Sequence, residues 1–200
     1  MSSPESSPKP EKSFCDLPET DDHLREHCTS SEDVYSGKFL HLKKDIVTLP
    51  DGNSTFREYL IHPGAVAIMP ILNDGRILLE RQFRYPVDTA MIEIPAGKLD
   101  PDEDPLLCAQ RELLEETGYS AKSWEFLGRI HPVISYATET IDIYLAKDLT
   151  LGERSLDEGE FLDVFAATLD EMHEWIANGK ITDVKTIISV YHLSRRLKEI

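Results

Sequence analysis

The sequence predicts an α/β fold, a mixed sheet sandwiched by helices in an α/β/α arrangement, with a small β extension on its N-terminal side. Three observations carry this expectation. Strand-like segments lie on both sides of a single amphipathic helix, a helix pair closes the chain, and a hairpin-like pair of segments precedes everything else.

Residues 1–32 are rich in Ser, Pro, Glu and Asp and offer little to bury, so they read as a disordered tail. Residues 33–62 form the extension, with strands over 39–49 and 54–61 joined at the turn sequence Pro50-Asp51-Gly52-Asn53. Residues 63–200 form the main domain. Its first strand pair, 65–72 and 77–83, turns at Asn73-Asp74-Gly75, and a short strand over 91–94 runs into Pro95-Ala96-Gly97. After the central helix come strands over 124–131, 141–145 and 161–166, then helices over 169–178 and 183–197 separated at Gly179.

The central helix has legible ends. Asp104-Pro105 supplies an N-cap acceptor and a proline at the first helical position. Gly118 stands where a glycine ends a helix in the left-handed conformation. At about 100° per residue, Glu112, Glu115 and Glu116 share one arc. Leu107 and Leu114 fall opposite, flanked by Leu106 and Leu113, which predicts a leucine stripe facing the core. Arg111 lies one turn before Glu115, close enough to hold that carboxylate. Cys108, in the same helix, reads as a small buried thiol.

Three clustered carboxylates need a reason. At about 6 Å and an effective dielectric near 20, each like-charge pair costs roughly 3 kcal/mol when partly buried. On a solvated face the cost is only about 0.2–0.5 kcal/mol, so a plain acidic surface is the bland alternative. A hard divalent cation with oxygen ligands, Mg²⁺ or Mn²⁺, would remove the repulsion and give the cluster a purpose.

Composition narrows the classes. The net charge of −16 over 200 residues argues against nucleic acid or an anionic membrane as the main partner. No apolar run is long enough to span a bilayer, and no charged start with an apolar stretch marks export. The three cysteines, Cys15, Cys28 and Cys108, have no paired metal spacing, which fits a reduced cytoplasmic setting. The Asp/Asn-rich loop of a calcium-binding helix pair does not occur.

Residues 97–119 read GKLDPDEDPLLCAQRELLEETGY and fit G-x₅-E-x₇-R-E-U-x-E-E-x-G-U, where U is a bulky aliphatic. Gly97, Glu103, Arg111, Glu112, Leu113, Glu115, Glu116 and Gly118 are in register, with Tyr119 at the last position. Chance agreement at eight positions is on the order of 10⁻⁹ per start position. The segment resembles the Nudix box, the signature of hydrolases that cut nucleoside diphosphates linked to another group. The resemblance implies the Nudix α/β/α sandwich.

Flanking segments resemble the ADP-ribose pyrophosphatase group within that family. Arg81-Gln82-Phe83-Arg84-Tyr85-Pro86 before Glu93-Ile94-Pro95-Ala96-Gly97 is similar to its QFR…E-x-P-A-G stretch, and Asp157-Glu158-Gly159-Glu160-Phe161 to its acidic loop. The resemblance implies metal ligands at the Ala96 carbonyl, Glu112, Glu115, Glu116 and Glu160, holding two or three Mg²⁺ ions, with Mn²⁺ as a substitute. It implies catalytic roles for Glu116 and Glu115 and a base at Glu160 or, alternatively, Glu158. Substrate contacts are expected from Arg84, Arg57, Glu139 and Leu99. Tyr35, Phe39 and Phe56 of the extension are the aromatics available for a base. The group also implies a homodimer built partly through that extension.

The resemblance therefore implies hydrolysis of ADP-ribose to AMP and ribose 5-phosphate. One departure keeps GDP-mannose open as the alternative: Ile134-Ser135 stands where the group carries Pro-Gly. A third reading, a catalytically silent nucleotide sensor, is disfavoured because every box glutamate is kept and no basic helix-turn-helix segment occurs.

Overall fold

Three strands at the start of the chain form an antiparallel sheet that stands outside the main body: β1 (His27–Ser36), β2 (His41–Thr48) and β3 (Ser54–Ile61), in the order β1-β2-β3. The structure, a computed structural model, describes residues 20–156 and 158–198. The β2–β3 hairpin closes at Gly52, whose φ of 86° is the left-handed region that its turn requires. Strand β1 begins inside the segment expected to be a tail. Every residue of β1 is exposed, so it has no apolar alternation to betray it, and it is held by its ladder to β2 from His27↔Thr48 to Ser36↔His41. The remainder of the expected tail, residues 1–19, lies outside the described residues.

The main body contains β4 (Ala65–Pro70), β5 (Ile77–Arg84), β6 (Thr89–Glu93), β7 (Ala96–Lys98), α1 (Pro105–Thr117), β8 (Tyr119–Ile130), β9 (Ile141–Leu151), β10 (Leu162–Ala167), α2 (Leu169–Ala177) and α3 (Val184–Lys198). One sheet runs β7-β4-β9-β8 and the other β10-β5-β6. The first sheet is mixed, since β4 pairs antiparallel with β7 and parallel with β9. This is the expected mixed-sheet sandwich, and alternation along the strands explains its layers. Ala67 and Met69 of β4 join Ile77 and Leu79 of β5 in a core shared with Met172, Ile181, Val190 and Leu193 from the C-terminal helix pair and its connection. Val66, Ile68 and Leu78 face the other way, against Cys108, Ala109 and Leu113 of α1. Met69 and Met172 are fully buried, and side chains of this size each stabilise by about 1.5–3 kcal/mol on leaving water.

Strand β8 starts at Tyr119, immediately after α1, and so is longer than its sequence pattern suggested; Gly118 turns the chain from helix into strand. The extension is tied to the body where Leu60 N donates to the Tyr136 carbonyl at 2.9 Å and Thr138 N donates to the Leu60 carbonyl at 3.0 Å. That junction brings the start of β2 and the end of β3 to the rim of the cavity described next.

Candidate active site

Helix α1 begins and ends as its sequence requires. Asp104 Oδ1 accepts from the backbone N–H groups of Leu106 at 2.9 Å and Leu107 at 3.2 Å, which satisfies two otherwise unpaired donors. Gly118 closes the helix at φ 76° with its N–H on the Leu114 carbonyl. The buried arc of α1 differs from the expected leucine stripe. Leu107 and Leu114 are exposed, whereas Cys108, Ala109, Leu113, Glu116 and Thr117 are buried. The helix is wedged between layers, so its inward arc is rotated toward the glutamates and is filled by small residues that permit close approach.

The carboxylates face a cavity of about 1190 Å³ between α1, the β6–β7 corner, the end of β5 and the rim of the extension. Of the residues expected at the site, Ala96, Glu112, Glu115, Glu116 and Glu160 all line it, and so do Arg84, Leu99 and Glu139. Glu158 and Arg57 do not. Glu158 is exposed in its loop, and Arg57 is forked by Glu26, with Nε donating at 2.9 Å. Asp157, in the same acidic loop, lies outside the described residues. Phe39 is the aromatic of the extension that reaches the cavity, with Lys98 Nζ 4.5 Å from its ring centroid.

Arg111 organises the helix side of the site. Its Nε and Nη2 donate to the two oxygens of Glu103, both at 2.9 Å, and its Nη1 donates to Glu112 at 2.8 Å and Glu115 at 3.1 Å. The guanidinium beside Glu103 pulls that carboxyl down to about 2. Arg111 therefore does more than hold Glu115: it anchors the 98–104 loop through Glu103. Gly97 lies against the same group, since a Cβ at 97 would stand 1.8 Å from Glu112 Cδ.

Glu116 is buried, and its Oε2 accepts from the Ala96 N–H at 3.1 Å. Burial raises its pKa, with Glu80, Glu112 and Glu160 adding repulsion. Burial likewise raises Glu112, against the opposing pull of Arg111. Glu160 Oε1 accepts from Gln82 Nε2 at 3.1 Å, which ties the acidic loop to β5.

Glu93, Lys185 and Glu80 are charged residues for which the sequence suggested no role. Glu93 accepts from Arg84 through both oxygens, at 2.7 and 2.8 Å, and from Lys185 Nζ at the start of α3. Burial alone would raise Glu93, but the two cations outweigh it and hold it below the usual carboxylate range. Lys185 also pairs with Asp183 at 3.1 Å. Glu80 of β5 is 3% exposed, and its buried Oε1 has no hydrogen-bond partner. Burial raises Glu80, followed by repulsion from Glu160. The signal for Glu80 was its alternation with Leu78 and Gln82, which puts a carboxylate on an inward face.

The donor set suits a divalent cation. It consists of hard carboxylate oxygens and backbone carbonyls, with one buried carboxylate oxygen left unpartnered and a glycine whose missing side chain makes room for the Glu112 carboxylate. Among the described residues, no three such side chains converge tightly enough to hold an ion as they stand. Arg111 takes up Glu112 Oε1 and Glu115 Oε2 and leaves the second oxygen of each carboxylate outside its own hydrogen bonds.

Residues 61–187 match the NUDIX domain, and residues 26–60 match the nucleoside diphosphate sugar hydrolase N-terminal domain. The chain is 42% identical over 172 residues to a methanol dehydrogenase activator of Bacillus methanolicus, covering 85% of this chain and 93% of that one. It is 38% identical over 178 residues to an ADP-ribose pyrophosphatase of Bacillus subtilis (strain 168), covering 88% and 95%. A solved structure described as an ADP compounds hydrolase superposes with a TM-score of 0.80 at 23% identity, covering 88% of this chain and 96% of that one.

Proposed function

Because the chain belongs to the Nudix hydrolase family, we propose that it is a divalent-metal-dependent pyrophosphohydrolase of nucleoside diphosphate sugars. In this reading ADP-ribose is cut to AMP and ribose 5-phosphate. The observation that carries the reading is the convergence of the box glutamates, Glu160 and Arg84 on one cavity. The similarity to the Bacillus subtilis ADP-ribose pyrophosphatase supports the substrate.

The Ala96 carbonyl, Glu112, Glu116 and Glu160, with Glu115 beside them, would hold two or three Mg²⁺ ions, for which Mn²⁺ can substitute. Bound there, the ions neutralise the diphosphate and lower the pKa of a coordinated water. Glu160, the acidic-loop glutamate that lines the cavity, accepts the proton of the water that attacks one phosphorus in line. Glu158 is the alternative base, and its exposed position outside the cavity argues against it. Arg84 contacts the diphosphate or terminal ribose from the end of β5, oriented by Glu93. Arg111 positions Glu112 and Glu115 and does not touch the reacting atoms. Leu99 and Glu139 bound the substrate on the rim, and Phe39 offers a face for the nucleobase.

Residues 63–200 are read as the hydrolytic domain and the β1–β3 sheet as an accessory that packs on a second copy. Tyr35, Ile46 and Phe56 of that sheet are exposed large apolar side chains that such a homodimer would cover. The cysteines Cys28 and Cys108 are free, which fits a reduced cytoplasmic setting. No helix among the described residues is long and apolar enough to cross a membrane.

The test is purified protein with Mg²⁺ against ADP-ribose, GDP-mannose, NADH and diadenosine polyphosphates, with products identified. AMP and ribose 5-phosphate formed fastest from ADP-ribose is the expected result. Preferred turnover of GDP-mannose would overturn the substrate and leave the reaction class standing. No turnover of any of them would overturn the enzyme reading.

A further inference from the structure

We propose that Glu80 is an additional carboxylate ligand for the divalent cations of this site, reaching them from the strand layer opposite α1. The proposal rests on the cation-dependent reading above and adds a donor from β5, outside the box helix and the acidic loop.

The placement of Glu80 follows from sheet register. Glu80 stands between Val164 of β10 and Glu93 of β6 in the three-stranded sheet. Its neighbours on the same strand face are Leu78, packed in the α1 core, and Gln82, bonded to Glu160. The Glu80 side chain therefore projects toward α1 and the acidic loop. Of all surrounding charges, it acts most strongly on Glu116.

The energetic problem lies in how the two strand glutamates are treated. Glu93 and Glu80 are directly paired across β5 and β6 and are both buried. Glu93 is fully engaged by Arg84 and Lys185. Glu80 leaves Oε1 buried and unpartnered. A buried, uncompensated carboxylate is strongly unfavourable, so such a group needs a counterion or a proton. The nearby cationic side chains, Arg154 and Lys185, act on it only at a distance: Lys185 is occupied by Glu93 and Asp183, and Arg154 donates to the Leu162 carbonyl. A divalent cation drawn in beside Glu80, with Glu116 and Glu160 turning toward it, would give all three carboxylates, from three different elements, a counterion that prefers oxygen donors.

Mn²⁺ binding to the full chain, counted by electron paramagnetic resonance and titrated by calorimetry, tests this for wild type, Glu80→Gln and Glu80→Leu. The expected result is a loss of Mn²⁺ affinity of about tenfold or more, or one ion fewer, in both variants. Without metal, both variants should melt higher than wild type, and the rise in melting temperature on adding Mn²⁺ should shrink. Unchanged stoichiometry and affinity in both variants would overturn the proposal and leave Glu80 sharing a proton with Glu116. The leucine variant needs no hydrogen-bond partner and serves if the glutamine variant folds poorly. The two readings separate cleanly. Wild-type hydrolysis with Mn²⁺ binding indifferent to Glu80 sinks only this proposal, and Glu80-dependent Mn²⁺ binding without hydrolysis sinks only the function.

Discussion

Gly97 and Glu112 occupy the same small space: a Cβ built on Gly97 would lie 1.8 Å from Glu112 Cδ and 1.9 Å from its Oε1. The backbone at Gly97 does not have a positive φ, so glycine is needed here for room and not for conformation. Gly97→Ala should displace the Glu112 carboxylate while the sheets and helices remain. The expected result is a loss of about 100-fold in kcat, roughly 2.7 kcal/mol of barrier, with an unchanged far-ultraviolet circular dichroism spectrum. A rate within about threefold of wild type would show that Glu112 is not needed where it stands.

Arg111 spans the 98–104 loop and α1 through Glu103, Glu112 and Glu115. Its loss should weaken the fold as well as the chemistry. Arg111→Ala is expected to lower unfolding stability by about 1.5–3 kcal/mol, the range for hydrogen bonds to charged groups, measured by urea denaturation. Arg111→Lys should recover only part of this, because an ammonium cannot fork both Glu103 oxygens. Equal stability of the lysine variant and wild type would contradict the bidentate role.

Metal-free protein should lose stability as pH rises. Burial, with mutual repulsion, raises Glu80 and Glu116 above the ordinary carboxylate value of 4.5. Above that value the unfolded chain has released these protons while the folded chain still holds them, so unfolding becomes more favourable with each unit of pH. The melting temperature in the presence of a chelator is therefore expected to be higher near pH 5 than near pH 8, with Mg²⁺ restoring most of the difference. Glu116→Gln should flatten the slope. A chelated protein more stable at the higher pH would reverse the assignment.

Glu160 and Glu158 are two residues apart but differ in position: Glu160 is tied to Gln82 and lines the cavity, and Glu158 is exposed. Glu160→Gln should lower kcat by about 10²–10⁴-fold, the usual contribution of a positioned base. Glu158→Gln should stay within about threefold. Steady-state kinetics on both variants decides between them, and a larger loss in the Glu158 variant would exchange their roles.

The parts of this molecule that were legible in the sequence are those whose causes are local. Asp104-Pro105 and Gly118 marked both ends of α1 because capping is settled within a few residues. The β2–β3 turn announced itself through Pro50-Asp51-Gly52-Asn53. Box residues told which glutamates would gather. Strand β1 was illegible because all of its side chains are exposed and only backbone pairing to β2 defines it. The orientation of α1 was misread at Leu107 and Leu114 because a helix wheel ranks hydrophobicity, whereas the packing between sheet layers selects small residues. The Glu93–Lys185 pair depends on which strand face meets which helix, across 92 residues, and no local pattern carries that.

The attachment of α3 to the β6–β7 corner bears on when the site can come into being during synthesis. Ile94 N donates to Thr186 Oγ1 at 2.9 Å, and Glu93 is held by Lys185. The strand corner that presents Ala96 is thus fastened by residues translated long after it. Domains emerge N-terminal end first, so a nascent chain that already carries every box glutamate still lacks the clasp behind them. Competence for hydrolysis should arrive late, only once the segment around 183–186 has been translated and docked.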